Sequence, residues 1–297
     1  MVIGGANMDL KATSGRPIVD GTSNPGSTSI SPGGVARNIA ENLARLGTTV
    51  ELVSVVGADS LGAELLERTS AAGVDVSGVR SLDGPTGTYT AVLDVDGELV
   101  VAIADMGAAD DITPDLVAEQ VGTLRGRDLL VLDGNLPTDT VAAAVDQAGR
   151  AGARIVFEPV SVPKAARCAA VVDGVWLVTP NRDELAALAG PQGTMDDQIT
   201  RLHDRGISRV WVRLGTDGSL LSTPTGRHRL AARTVEVIDV TGAGDAMLGA
   251  FCHALLRGDD EVAAAAYGHA AAALTVASPQ TVRSDMNEGL IKDWMDR

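Results

Sequence analysis

Aromatic side chains are scarce in this chain: three Trp, two Tyr and two Phe make up 2% of its 297 residues. A core must therefore be filled by aliphatic side chains, and a ligand that needs an aromatic sandwich is disfavoured. Cysteine is just as scarce. Cys168 and Cys252 share no metal-ligand spacing with the four scattered histidines, His203, His228, His253 and His269. They read as small core residues in a reducing, cytoplasmic setting. Basic residues are outnumbered, 24 Lys and Arg against 39 Asp and Glu, for a net charge of −15. A nucleic-acid partner would call for the opposite balance. No uncharged apolar run reaches about 18 residues, so no membrane span is expected. Residues 1–10 lack the basic start and apolar stretch of a signal peptide. No Gly-x-x-x-x-Gly-Lys-Ser/Thr sequence occurs, which excludes the P-loop class.

What is abundant is aliphatic: apolar residues make up 45% of a chain long enough for one large α/β core. Short β-rich runs alternate with helical patterns. Strands are expected at 2–6, 50–56, 129–133, 154–158, 175–178 and 210–214, and helices at 34–46, 60–72, 138–151 and 183–189. Thr113 and Pro114 open a further short helix, and alanine-rich helices close the chain at about 259–277 and 285–294. Such alternation predicts a parallel sheet covered on both faces, with ligands beyond the strand C-termini. Two segments break it. Residues 11–31 are polar and rich in Gly, Pro and Ser, and 86–104 reads as two strands around Asp94-Val95-Asp96-Gly97, a hairpin signal. Together they predict a small β unit on a single domain spanning 1–297. Its exposed edges call for cover, so pairing with a second copy is expected. The first glycines stand so close to Met1 that a few further N-terminal residues are expected in a longer form.

The most informative stretch is Asp239-Val240-Thr241-Gly242-Ala243-Gly244-Asp245-Ala246. Val235, Val237, Ile238 and Val240 read as a strand leading in, and 246–256 as a helix leading out. The glycines between them let backbone approach a ligand with no Cβ in the way. A helix start has unsatisfied N–H groups and the positive end of the dipole, and so favours an anion. An aspartate there competes with that anion, unless Asp245 takes a proton from a hydroxyl that attacks a phosphate held by the turn. Read alone, it is also what an ordinary helix start carries. A second glycine motif runs from Pro32-Gly33-Gly34-Val35-Ala36-Arg37-Asn38 to Gly47. Val35, Ile39, Leu43 and Leu46 share one helical face, Gly47 is the C-cap, and Asn38 lies one turn in.

In order and spacing these two segments, with Asn181-Arg182-Asp183-Glu184 and Leu214-Gly215-Thr216-Asp217-Gly218 between them, resemble the signatures of the ribokinase-like (PfkB) carbohydrate and nucleoside kinases. The resemblance covers nearly the whole chain. Within that family, residues 3–11, 22–26, 32–47 and 86–99 are similar to the pseudouridine kinases. The resemblance implies a three-layer α/β/α fold with a mostly parallel central sheet, and a small β-sheet lid from about 11–31 and 86–104 that covers the sugar and pairs in a homodimer. It implies ATP, Mg²⁺ and phosphorylation of the 5′-hydroxyl of a ribosyl compound, pseudouridine first. Ribose or another nucleoside or sugar remains open as the acceptor, as does a non-catalytic nucleoside sensor.

Roles follow from the same resemblance. Asp245 would be the general base, and the amides of Gly242, Ala243 and Gly244 the anion hole. Asn7, Asp9, Gly33, Gly34 and Asn38 would line the sugar. Thr22, Ser23, Asn24, Thr88 and Tyr89 on the lid would offer polar contacts to a uracil base, or serve only as turn and strand formers. Asn181 and Glu184 would act through water on Mg²⁺ and phosphate, or merely cap a helix. Leu214, Gly215, Asp217 and Gly218 would wall the nucleotide cleft, or form a hairpin turn. Arg213 would add charge there, or lie on the surface, and His269 sits on a segment near that cleft. Asp239 and the Thr241 carbonyl match a monovalent-cation loop, so a K⁺ requirement is expected.

Overall fold

The computed structural model describes residues 1–126 and 128–296. In chain order its strands are β1 (Val2–Ile3), β2 (Asn7–Ser14), β3 (Gly26–Gly33), β4 (Leu52–Gly57), β5 (Val79–Leu82), β6 (Thr88–Leu93), β7 (Leu99–Asp105), β8 (Leu129–Asp133), β9 (Arg154–Glu158), β10 (Leu177–Val178), β11 (Arg209–Arg213), β12 (Ser219–Thr223) and β13 (Gly226–Leu230). The α-helices are α1 (Val35–Arg45), α2 (Ser60–Ala71), α3 (Pro114–Val121), α4 (Thr138–Arg150), α5 (Val162–Cys168), α6 (Arg182–Ala189), α7 (Met195–Asp204), α8 (Ala243–Arg257), α9 (Glu261–Val276) and α10 (Glu288–Met295).

Among the described residues, nine strands form one sheet in the order β13-β12-β11-β10-β9-β8-β1-β4-β5. It is parallel from β5 to β11, with β12 and β13 added antiparallel at one edge. Its central strands are buried on both faces, which is why they read as unbroken apolar runs. Val2, Val131 and Val156 point to α1, α8, α9 and α10, while Ile3, Leu130 and Phe157 point to α3 through α7. Three layers result. Cys168 and Cys252 are free and buried within them. Helices α1 and α8 meet closely at Gly249, where a Cβ would lie 2.8 Å from that of Asn42. That approach brings the first turns of both helices together at the C-terminal edge of the sheet.

The second sheet has the order β3-β2-β6-β7. It is mixed: β2 runs antiparallel to β3 but parallel to β6. The hairpin at 94–97 forms as expected, with Asp94 Oδ1 accepting from the amides of Asp96 and Glu98 at 2.9 Å each. This lid begins earlier than the polar segment suggested. Asn7 pairs with Gly33 and Asp9 with Ser31, so both belong to the lid rather than to a loop after the first core strand. The run Val235 to Val240 is not a strand. It is a loop in which Val237, Ile238 and Val240 are exposed, since no strand lies beside it to accept pairing. The expected strand at 2–6 contracts to Val2–Ile3, because the next residues bend around a buried carboxylate. The amide of Gly5 donates to Asp133 Oδ2 at 3.0 Å. No helix among the described residues is long and apolar enough to cross a membrane.

Candidate active site

Helix α8 starts from a left-handed residue. Gly242 has φ 77°, and a Cβ on it would lie 2.1 Å from the carbonyl oxygen of Thr281. Only glycine fits such a turn. The Ala243 amide donates back to Val240 O at 3.3 Å, but those of Gly242, Gly244 and Asp245 have no acceptor among the described residues, and no side chain caps the helix. These open donors, with the helix dipole behind them, form a cradle for an anion. Asp245 is buried in the same turn, and its Oδ2 accepts from Asn38 Nδ2 at 2.9 Å. Burial pushes its carboxyl up to about 7, with Glu158 and Asp133 adding to the effect and Asn38 and Arg213 opposing it.

Arg213, at the end of β11, lies against this cradle: a Cβ on Gly244 would stand 2.5 Å from Arg213 Nη1. Its Nη2 donates to Glu158 Oε1 at 2.7 Å and to Glu184 Oε2 at 3.2 Å. Burial acts to lower the guanidinium pKa, but the two carboxylates outweigh it and the net movement is upward. Glu158 is held from behind by Thr179 Oγ1, which donates to Oε2 at 2.6 Å. Glu184 completes a capping box on α6. Its Oε2 accepts from the Asn181 amide at 2.8 Å, and Asn181 Oδ1 accepts from the Glu184 amide at 2.9 Å. The pair does cap this helix, and Glu184 is buried, which pushes its carboxyl upward. Among the described residues no cluster of three or more His, Cys, Asp or Glu could ligate a metal. Glu184 Oε1 has no protein partner among them, which fits a divalent cation held through water.

The lid closes the other side. Asn7 Nδ2 donates to Asp9 Oδ1 at 2.7 Å, and a Cβ on Gly33 would lie 2.4 Å from that same oxygen. Gly34 has φ 94° and approaches Gly5 O so closely that a Cβ would lie 2.4 Å away. Burial pushes the Asp9 carboxyl upward, against Asn7, Arg37 and Lys11. A cleft of about 460 Å³ opens between lid and core, lined among others by Asp9, Ser29, Ser31, Arg37, Tyr89 and Thr241. Beneath it Asp133 ties three elements together. Its Oδ2 accepts from the amides of Gly5 and Ala36 and from Asn135 Nδ2, at 3.0, 2.9 and 2.9 Å. Asn135 and Asn7 line one narrow gap, and Asn135 Oδ1 accepts from Lys164 Nζ at 2.5 Å. Burial pulls the Lys164 pKa down.

The expected base contacts at Thr22, Ser23, Asn24 and Thr88 fall elsewhere. Thr22, Ser23 and Asn24 do not line the cleft. Asn24 instead folds its own turn, Oδ1 accepting from the Val19 amide at 2.9 Å and Nδ2 donating to Val19 O at 3.0 Å. Thr88 pairs with Met8, on the face opposite Asp9 and Tyr89. Leu214, Gly215, Asp217 and Gly218 form the turn between β11 and β12. The Leu214 amide donates to Gly218 O, and Gly218 is pressed against Leu230 O. Gly215 faces open space. His269 Nε2 lies 2.7 Å from Ser219 Oγ, which also accepts from Trp211 Nε1, so this ring packs within the protein, and burial lowers its pKa. Asp239 is committed already: Oδ1 accepts from the Thr241 amide at 2.9 Å and Oδ2 from Lys11 Nζ at 3.2 Å. Asp133, Asn135, Glu158 and Lys164 were not singled out from the sequence. The first three lie at or just past the C-terminal ends of β8 and β9, where ligands of parallel sheets gather.

The three layers, the lid and the glycine-started helix facing it define a ribokinase-like α/β fold. The model of the pfkB family of carbohydrate kinases matches residues 1–287, and the chain belongs to that family; it is a phosphotransferase. It is similar to the pseudouridine kinase of Escherichia coli (strain K12), at 34% identity over 254 residues, covering 84% of this chain and 80% of the relative. It is also similar to the ribokinase of Bacillus subtilis (strain 168), at 28% identity over 278 residues and 93% and 92% of the two chains. Among solved structures, Arabidopsis thaliana ribokinase complexed with ribose and ATP superposes with a TM-score of 0.88 at 24% identity, over 100% of this chain and 98% of that one.

Proposed function

We propose that this chain transfers the γ-phosphoryl group of ATP to the 5′-hydroxyl of pseudouridine, giving pseudouridine 5′-phosphate. The observation that carries the reading is the first turn of α8, where a buried carboxylate, open amides and an arginine converge. Asp245 would accept the hydroxyl proton, and a carboxyl held at about 7 is matched to that task at neutral pH. The amides of Gly242 and Gly244, joined by that of Asp245, and the Arg213 guanidinium would take up charge on the transferring group. When bound, ATP supplies that group and Mg²⁺ offsets phosphate charge. Glu184 and Asn181 would hold the metal through water, and the turn at Leu214, Gly215 and Asp217 would border the nucleotide.

Asn7 and Asp9 would orient the sugar hydroxyls, with Gly33 and Gly34 giving them room. Ser29, Ser31 and Tyr89 line the same cleft and offer polar partners to a uracil edge. Polar matching discriminates between nucleobases far better than apolar fit. The reading extends to a homodimer. Val100, Val101 and Ile103 on the edge strand β7 are more than half exposed, and a second copy would cover them. A K⁺ at Asp239 and the Thr241 carbonyl would have to draw Asp239 away from Lys11. Likeness to a ribokinase over nearly the whole chain supports a second reading, in which ribose or another sugar is the acceptor.

ATP consumption with Mg²⁺, with and without K⁺, against pseudouridine, uridine, cytidine, adenosine, ribose and fructose tests both, the product being identified by mass. Pseudouridine should have the highest kcat/KM. Preference for another acceptor would leave a kinase of a different substrate, and binding without any turnover would leave a sensor.

A further inference from the structure

An asparagine amide has no preferred face of its own: turned over, it presents an acceptor where a donor stood. At Asn38 the choice matters. Only Nδ2 can donate to Asp245 Oδ2, as it does at 2.9 Å, and the flipped amide would set an oxygen against a buried carboxylate. The other end of the amide decides which face is shown. Asn38 Oδ1 accepts from Arg37 Nη1 at 2.8 Å, and a guanidinium can only donate.

Helix geometry alone does not produce this contact, because side chains at i and i+1 do not face one another. The guanidinium is drawn round by its other partners. Nη1 also donates to Pro32 O at 3.0 Å, Nε donates to Thr69 Oγ1 at 3.3 Å, and Nη2 pairs with Glu41. Glu41 pairs in turn with Arg45, whose Nη1 donates to Ser284 O. Arg37 is itself buried, so its own bonds to Asn38, Pro32 and Thr69 form away from water.

We propose that Arg37 is a positioning residue for the proton acceptor: by donating to Asn38 Oδ1 it locks the amide with Nδ2 toward Asp245. The proposal rests on the phosphotransfer reading above. Arg37 also carries charge near Asp245, as do Arg213, Glu158 and Asp133, but a charge acts through space, whereas the lock acts only through Asn38. The two are separable.

The test compares wild type, Arg37→Met, Asn38→Leu and the double variant. It reads kcat/KM against pH, and the Asp245 carboxyl titration by ¹³C NMR in the ligand-free protein. Losing a donor to a buried carboxylate disfavours the charged form. Arg37→Met should therefore move the acid limb and the NMR midpoint to higher pH by about one pH unit or more, and lower kcat/KM at neutral pH about fivefold or more. In the Asn38→Leu background the same substitution should move the midpoint by much less, leaving only its charge acting through space. A movement of equal size in both backgrounds would reduce Arg37 to a distant charge and overturn the proposal. So would an unmoved midpoint in Arg37→Met with a lowered melting temperature, the mark of a purely structural residue. Because Arg37→Met leaves Glu41 without one of its partners, Arg37→Met/Glu41→Gln is measured beside it and should move the midpoint equally. If no acceptor is phosphorylated, the function proposed above fails, and the NMR midpoint still decides whether the lock exists.

Discussion

Replacing Asp245 by asparagine separates its chemistry from its electrostatics. The side chain keeps its shape, and Asn38 Nδ2 keeps an acceptor, since an amide oxygen can stand where Oδ2 stood. Proton acceptance is lost, for which a fall in kcat of about 10²–10⁴-fold is expected. Stability should move the other way. Burial pushes the Asp245 carboxyl from an ordinary 3.8 to about 7. Between those values the folded chain keeps a proton that the unfolded chain has released, so wild-type stability falls as pH rises through the interval and levels off above it. At about 1.4 kcal/mol per pH unit, the loss is on the order of 4 kcal/mol. The asparagine variant has no such loss. Asp9, Asp133 and Glu184 are also raised by burial, but they remain in both proteins, so the difference between the two is the quantity to read. Urea unfolding at about pH 5 and about pH 8 measures it, and kcat at the higher pH measures the chemistry. The variant should gain on wild type between the two pH values while losing turnover. Turnover near the wild-type rate would refute the base. A stability difference that does not change with pH would refute the buried-charge argument.

Further substitutions test the other parts of the site. Asp9→Ala should weaken acceptor binding by about 10–100-fold with kcat largely kept; an unchanged dissociation constant removes Asp9 from the site. In Gly244→Ala the new Cβ would meet Arg213 Nη1 at 2.5 Å, at a position without left-handed backbone. Its kcat/KM should fall up to about 100-fold with little change in melting temperature, and full activity would show that Arg213 need not touch the turn. Arg213→Met leaves Glu158 and Glu184 facing each other, and should lose about 3 kcal/mol at neutral pH and less in acid, where Glu184, its carboxyl already raised by burial, takes up a proton. A pH-independent loss in urea unfolding would contradict that. Val101→Lys/Ile103→Lys places charge on one exposed face of β7. If wild type pairs through β7 as proposed, sedimentation should find dimers for wild type and monomers for this variant, with an unchanged melting temperature for the monomer, and a monomeric wild type would remove the dimer.

What was legible in the sequence was local. The turn at Gly242 and the pair Gly33-Gly34 can be read because their demands, a left-handed φ or a close approach, leave a glycine at a fixed place in a motif. The strand runs of the parallel core are legible because burial on both faces leaves them uniformly apolar. The run at 235–240 misled for a related reason. β-branched residues suit a pleated, half-buried surface, but their presence does not supply the neighbouring strand that makes one. Asn24 misled because the same amide that could read a base can as well close its own turn. Arg213 and Glu158 were the harder case. They stand 55 residues apart and meet only because β9 and β11 flank β10 in the sheet. Yet each ends a strand whose interior residues are buried and apolar, as Asp133 ends β8. A charge in such a place is destabilising unless a partner or a ligand compensates it. Three charged residues closing three strands of one parallel sheet, all at the C-terminal edge, therefore mark a site by physical argument alone, and the pattern is readable before any of the three is known to touch another.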